Sequence, residues 1–474
     1  MRDAGFDDGM DGSADGDDSA ARGSSGSPTI GPDAVTPTSS PTIESDVVTL
    51  TSELIRLDTT NQGQGDGHER PAAEYAARRL DEVGIAASML ESAPGRANLV
   101  ARIPGADRSR PALLVHGHLD VVPANAADWK VYPFSGEIRD GMVWGRGAVD
   151  MKSMVAMVLA VARAWARDGR MPRRDIVVAF TADEEDTGNY GAGWLATEHP
   201  ELFAGCTEGV SESGGYTLHA NGRRLYPIGA AERGTAWLKL TARGAAGHGS
   251  RANPDNAVAT LAAAVSRIAE HRWPVRLTPT VRAAVVGICE ALDVPVDPDS
   301  PDFDAGAMLD RLGPARRLLE NTLRNSTNPT MLAAGYKVNV IPSVATAHVD
   351  GRVLPGSEAE FEKTIEELTG PDVAWEYYHR ETSLSAPVQS PTFTAMKDAI
   401  EAEDPGAHVV PYCIGGGTDA KQFSRLGILG YGFAPLVMPP GLDLAPLVHG
   451  VDERVPVSAL EGGARILDRF LSMA

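Results

Sequence analysis

Several short stretches of this chain carry residue types that could do chemistry together. His116-Gly117-His118-Leu119-Asp120 follows an apolar run. In open α/β sheets ligands bind beyond the carboxyl ends of strands, so His118 and Asp120, two apart, could enter one crevice. A metal-binding imidazole usually donates its other N–H to a carboxylate or carbonyl, and Asp120 could brace His118 in this way. Gly145-Arg146-Gly147-Ala148-Val149-Asp150 ends on a carboxylate just before a helical pattern. Such an aspartate either caps the helix or bridges two metal ions. Asp183-Glu184-Glu185 follows a β-branched run. Neighbouring carboxylates repel, and one is driven to keep its proton unless a cation is near. A divalent metal answers that problem by ligating one carboxylate and leaving the other as a base.

Glu212, in Ser211-Glu212-Ser213-Gly214-Gly215, and His449, in Val448-His449-Gly450, are further candidates. Each cluster alone has a plainer reading: a helix cap, a solvated acidic turn, a structural histidine. Together, His118, Asp150, Glu185, Glu212 and His449 place His, Asp, Glu, Glu and His around strand ends. That nitrogen and oxygen set suits zinc and fits magnesium less well.

The positioning elements read as follows. The chain has 474 residues and a formal net charge of -21. Its length suggests roughly two or three domains. The acidic balance disfavours nucleic acid and anionic membranes, both of which need basic patches. No apolar run reaches the roughly 18 residues of a membrane span. Cys206, Cys289 and Cys413 are scattered and form no CxxC pair, as expected of reduced thiols in a cytoplasmic protein. Residues 1–44 are rich in Asp, Ser, Gly, Thr and Pro and read as a disordered, solubilising acidic tail.

Helices are expected at Val47–Leu57, Ala72–Val83 and Met151–Asp168, and strands at Asn98–Ile103, Ala112–Val115 and Asp175–Ala182. That alternation implies an α/β sheet covered by helices. The pattern changes near residue 230. Strand Thr235–Ala242, helix Asp255–His271, strands Tyr336–Val340 and Ala345–Val353, helix Ser357–Leu368 and strand Val373–Tyr378 give the β-α-β-β-α-β order of a ferredoxin-like unit. Residues 271–336 are too long for a simple connection and should add helices or cover a site. The first pattern resumes at Ser390–Ala402, Val409–Ile414, Ile428–Phe433 and Pro456–Met473. Residues 45–230 and 386–474 would then form one catalytic α/β domain, interrupted by an α+β insert over 231–385.

The ordered motifs resemble those of the two-zinc amidohydrolases that include aminoacylase, carnosinase-type dipeptidases, glutamate carboxypeptidase and succinyl-diaminopimelate desuccinylase. The resemblance runs from about Val47 to the C-terminus. It implies a zinc-peptidase-like catalytic domain with a central, mostly parallel sheet, and a ferredoxin-like lid that can pair two copies. It implies two zinc ions, with cobalt or manganese as substitutes. His118 and Glu185 resemble terminal ligands, Asp150 the bridging carboxylate, and Glu212 and His449 the remaining ligands. Asp120 resembles the brace of His118, and Glu184 the general base and acid. In the insert, His248 of Gly247-His248-Gly249-Ser250 resembles an oxyanion-stabilising lid histidine. Asn339, Arg352, Gly416 and Thr418 resemble contacts to a substrate carboxylate. The implied activity is cleavage of a peptide or N-acyl amide in a small substrate with a free carboxylate. An inactive binding protein, or a hydrolase of esters or ureido amides, would share most of these residues.

Overall fold

The computed structural model describes residues 41–474. Most of the expected acidic tail, residues 1–40, lies outside them; the first helix, Ile43–Ile55, begins four residues before the expected start at Val47.

The main sheet is built around strand Ala112–His118, all of whose residues are buried. An unbroken apolar run of this kind belongs in a sheet covered on both faces. It pairs in parallel with Ile176–Thr181 on one side and Cys206–Ser211 on the other, and Leu429–Gly432 continues the parallel set. Antiparallel strands Ala87–Ala93 and Arg96–Ile103 extend one edge. Arg223–Glu232 adds the other side and pairs in parallel with Ala407–Ile414. The four central strands therefore end together at His118, Thr181, Ser211 and Gly432.

Helices Ile43–Ile55, Lys152–Asp168 and Val457–Met473 cover one face. Lys152–Asp168 is apolar nearly all round and buried over most of its length, then stops at Gly169, whose φ of 64° is left-handed. Helices Ala192–Glu198 and Ala420–Phe423 cover part of the other face. Among the described residues no helix is long and apolar enough to cross a membrane.

A separate four-stranded antiparallel sheet has the order Ser326–Ala334, Val344–Val353, Gly234–Arg243, Val373–Arg380. Helices Ala257–Glu270 and Glu358–Thr369 cover one face of it. The strand order is that of the ferredoxin-like unit. Its second strand differs from expectation: Ser326–Ala334 fills the place, and Tyr336–Asn339 forms the turn that follows. The exposed edge explains the misreading, because Ser326–Ala334 has no buried residue and so lacks the in–out alternation that marks a strand. Residues 271–336 do add helices. Pro279–Ala291 and Ala305–Leu309 pack onto the strands of the main sheet at Leu225, Ala231, Val410 and Ile414.

Phe361 is fully buried between its helix and the small sheet and stacks on Trp273, with ring centroids 5.1 Å apart. A Cβ at Gly351 would come within 2.6 Å of the Phe361 ring, so the strand leaves that space for the ring alone. Phe361→Ala should destabilise this unit by about 3–5 kcal/mol in urea denaturation, the usual range for a buried phenylalanine. A loss below about 1 kcal/mol would show that the contact does not hold helix to sheet.

A candidate metal centre at the strand ends

The ligand candidates converge where the parallel strands end. His118 closes its strand and is 1% exposed. Its Nε2 lies 3.1 Å from Asp150 Oδ1, 3.9 Å from Glu184 Oε2 and 4.0 Å from Glu212 Oε2. The other oxygen of Asp150, Oδ2, lies 3.2 Å from His449 Nε2, which is 2.9 Å from Glu185 Oε2. Asp150 thus offers one oxygen to each half of the cluster. His118, Asp150 and Glu185 form one group of donor atoms within 4.8 Å of one another, and His118, Glu184 and Glu212 form a second.

Charge crowding marks the site. Burial, with Glu212 close by, pushes the Glu184 carboxyl well above the usual range. Burial and Asp150 do the same to Glu212. Burial opposes ionisation of Asp150 too, yet hydrogen bonds from His118 and His449 hold it below the usual range. Hydrogen bonds to Asp150 and Glu185 raise His449 to about 10. Glu185 Oε1 is buried without a partner. An orphaned carboxylate oxygen, facing histidines in an excess of acid, is what divalent cations satisfy, so the donor set fits two ions. One would take His118, Glu212 and Asp150, the other His449, Glu185 and Asp150.

Asp120 braces His118 through its backbone and serves a second purpose with its side chain. His118 Nδ1 meets the Asp120 backbone carbonyl at 2.9 Å, whereas the carboxylate is 3.6 Å away. That carboxylate is already engaged: it accepts the backbone N–H of Glu184 at 3.2 Å, that of Glu185 at 3.1 Å, and Asn61 Nδ2 at 2.9 Å. One residue therefore fixes the imidazole with its backbone and the paired glutamates with its side chain.

Supporting residues that no local pattern announces complete the frame. Asp183 has a left-handed φ of 67°. It is held there by Arg96 at 2.8 Å, Asn61 at 3.2 Å, Thr187 at 3.0 Å and the Tyr190 N–H at 3.2 Å. Such strain costs of order 1–3 kcal/mol and persists only where neighbours over-determine it. A Cβ at Gly191 would lie 1.7 Å from the Ala182 carbonyl, so only glycine lets this acidic loop fold back on itself. Glu453 is fully buried and accepts the N–H groups of Gly147, Val149 and Asp150, at 3.0, 2.7 and 3.1 Å, and Arg146 at 2.7 Å. Arg146 also donates to the His449 carbonyl at 3.3 Å, which ties the Asp150 turn to the His449 loop. Glu453 lies four residues past His449, yet nothing in its sequence context marks it. Asp419, next to Thr418, accepts Thr181 Oγ1 at 2.6 Å, and burial raises its carboxyl to about 7.

The expected substrate contacts divide into two groups. Arg352 and Thr418 line a cavity of about 140 Å³ together with Glu184 and Asp419. The Arg352 fork holds Asp350 at 2.8 and 3.2 Å and Thr235 at 3.2 Å. That leaves two of its five N–H donors. Thr418 gives its hydroxyl and its N–H to Glu232, at 2.7 and 3.1 Å, so it fixes the loop. Gly416 and Arg352 also line a larger cleft of about 590 Å³. His248 and Asn339 are not brought to the cluster. His248 is exposed, and its side chain bonds only Ser250 among the described residues, at 2.8 and 3.2 Å. Asn339 is exposed beside it, its carbonyl accepting the Gly249 N–H at 2.9 Å. His116 lies against Phe423, centroids 4.9 Å apart, away from the ligands. Asp150 and Glu212 also line an apolar pocket of about 260 Å³, together with Val149, Tyr216, Tyr412, Leu436, Leu444 and Val448.

Asp120→Ala should release both the imidazole geometry and the Glu184–Glu185 turn. Metal affinity, read by competition with a chromophoric chelator, should fall about 10–100-fold, as it does when supporting partners of metal ligands are removed. An unchanged affinity would mean that the ligands hold their places without Asp120.

Similarity to known proteins agrees with this geometry. The N-fatty-acyl-amino acid synthase/hydrolase PM20D1 of Xenopus tropicalis is 27% identical over 420 residues, covering 86% of this chain and 81% of that protein. The M20 family metallo-carboxypeptidase Sso-CP2 from Sulfolobus solfataricus has a similar fold, with a TM-score of 0.66 at 17% identity, covering 90% of this chain and 99% of that one. So does the YXEP protein of Bacillus subtilis, described as a dinuclear metal binding peptidase, with a TM-score of 0.57 at 10% identity, covering 91% and 98%. Residues 114–473 match peptidase family M20/M25/M40, and the chain belongs to that family of amide-bond hydrolases.

Proposed function

We propose that this protein is a cytoplasmic, zinc-dependent hydrolase that releases an amino acid from an N-acyl amino acid whose acyl group is apolar. The observation that carries the reading is the position of Glu184. It lines the cavity of Arg352, while Glu212, its neighbour around His118, lines the apolar pocket. An amide placed at Glu184 then has its carboxylate half on the arginine side and its acyl half among Tyr216, Tyr412, Leu436, Leu444 and Val448. The name of the Xenopus relative, a hydrolase of N-fatty-acyl amino acids, supports the same partition. A dipeptide with an apolar first residue fits the same two spaces.

When bound, two zinc ions would acidify a water between them and polarise the amide carbonyl. Glu184 takes the proton from the attacking water and passes it to the leaving nitrogen. Burial and the nearby Glu212 raise its carboxyl above the usual range, which strengthens it as a base and lets it hold the proton until the nitrogen takes it. Asp150 and Glu185 hold His449, Asp120 holds the glutamate pair, and the two spare N–H donors of Arg352 take the substrate carboxylate. Elemental analysis should find zinc, and chelation should abolish cleavage of N-acyl amino acids. Glu184→Ala should keep its metal and lose turnover by about 10²–10⁴-fold, the usual contribution of a general base; full activity in that variant would remove Glu184 from the role.

The oxyanion role of His248 belongs, in this reading, to a second copy of the chain. Strand Ser326–Ala334 is an open edge of the small sheet. Met331 and Leu332, each 63% exposed, lie on it, and Tyr336 and Val338 lie in the adjoining turn, beside His248 and Asn339. An open edge with apolar side chains is a template for pairing with another strand. Mixing Glu184→Ala chains with His248→Ala chains should restore turnover that neither has alone, because one site per mixed dimer keeps both residues. No recovery, with mixed dimers verified, would place His248 in its own subunit's site or outside the reaction.

A further inference from the structure

The segment between helix Ala257–Glu270 and strand Ser326–Ala334 does more than cover the main sheet. Its ends, His271-Arg272-Trp273 and residues 320–328, form walls of the 590 Å³ cleft that Arg352 and Gly416 also line. Arg352 belongs both to this cleft and to the small cavity of Glu184. A substrate with its amide at Glu184 and its carboxylate on Arg352 would direct the side chain of its amino acid half into the cleft.

The charges there do not balance. Arg233, Arg272, Arg324 and Arg352 line the cleft, and the acids facing them are Asp350 and Glu320. Asp350 is taken by Arg352, and Glu320 by Arg316 at 2.9 Å. Arg233 is 8% exposed, and among the described residues its guanidinium donates only to the Gly415 carbonyl, from Nη2 at 3.0 Å and Nε at 3.2 Å, and to the Ser326 hydroxyl, from Nη1 at 3.0 Å. Arg272 and Arg324 make no hydrogen bond or ion pair among the described residues. His271 Nε2, on the same wall, is buried without a partner. Arg233 is withdrawn from water without a counter-charge, which is costly, and a carboxylate received by its fork offsets that cost, while the exposed Arg272 and half-buried Arg324 leave their donors free for a ligand. The protein as a whole carries a net charge of -21, so this local excess of cation is no general property of its surface.

We infer that this cleft is a second anion subsite, which takes a carboxylate on the side chain of the released amino acid, so that N-acyl conjugates of acidic amino acids are the preferred substrates. The inference rests on the N-acyl amino acid reading above. Arg272 and Arg324, from the segment between the two sheets, are its specificity-determining residues, and Arg233 and His271 line it from either side.

The test compares N-acyl-glutamate with N-acyl-glutamine carrying the same apolar acyl group, so that only the second charge differs. Binding to the zinc-loaded Glu184→Ala protein is measured by calorimetry, and kcat/KM on the active enzyme. The glutamate conjugate should bind and turn over about 10–100-fold better, the worth of one or two hydrogen bonds to a charged group. The Arg272→Gln/Arg324→Gln double variant should erase most of that preference, chiefly through KM, and should lose at least tenfold more on glutamate than on glutamine. Equal affinity for the two conjugates in the wild-type protein would overturn the subsite. So would equal losses on both in the variant. Binding without a charge preference, but with rate changes on adding inorganic phosphate that vanish in the double variant, would make the cleft an effector site and overturn the substrate assignment. Failure of the metal-loaded enzyme to cleave either conjugate, with the glutamate preference in binding intact, would sink the hydrolase reading and leave the subsite standing.

Discussion

Asp120, Asp150, Glu184, Glu185 and Glu212 are held against two histidines at the end of one sheet, and the rest of the catalytic architecture serves to keep them there. Like charges about 4 Å apart repel by about 4 kcal/mol at an effective dielectric of 20. Left to itself, such a cluster would loosen into solvent or take up protons. What prevents loosening is the stiffness of its supports. Four parallel strands end together, helix Lys152–Asp168 starts immediately after Asp150, and each ligand loop is fastened by a buried group of its own. Asp120 fastens the glutamate pair, Glu453 the Asp150 turn, and Arg96 the strained Asp183. The repulsion that remains is available to bind divalent cations tightly.

The supports are themselves charged, and they share a design. Arg96 is 1% exposed and spans Glu69 and Asp183, reaching each at 2.8–2.9 Å. Arg146 is 3% exposed and joins Glu453 to the His449 loop. Buried pairs of this sort contribute little net stability, because desolvation offsets attraction, but removing one partner strands the other. Their value here is geometric: each pins a loop that carries a ligand, from a residue far away in sequence.

That distance explains how much of the molecule was legible beforehand. His118, Glu184, Glu185 and Glu212 were readable because they sit at or just past the ends of buried strands, and Asp150 because it closes a glycine-rich turn before a helix, while His449 stood out only with the others. The small sheet was readable as a topology, yet its second strand was placed too late, since the solvent-facing edge Ser326–Ala334 lacks the alternation that Val344–Val353 displays in full. Asn61, Arg96, Glu69 and Glu453 left no trace, because their function lies in contacts that only folding creates. The same holds in part for Asp120. Its brace of His118, here through the backbone carbonyl, could be expected from the pattern, but the hold of its side chain on the adjacent turn exists only once the chain is folded.

The division of labour between the two sheets follows from these constraints. The acidic cluster needs a rigid base, and it stands on the main sheet. Arginines with free donors beside the ligands would compete for the same carboxylates, whereas Arg96 and Arg146 there are tied to Glu69 and Glu453. Arg352 accordingly comes from the small sheet, where Asp350 holds its fork aimed without neutralising all its donors. Arg272 and Arg324 come from the segment that spans both sheets. On the proposed reading, cationic recognition of one half of a substrate is kept apart from the metal-ligand cluster, and the apolar pocket lined by Glu212 would receive the uncharged acyl half.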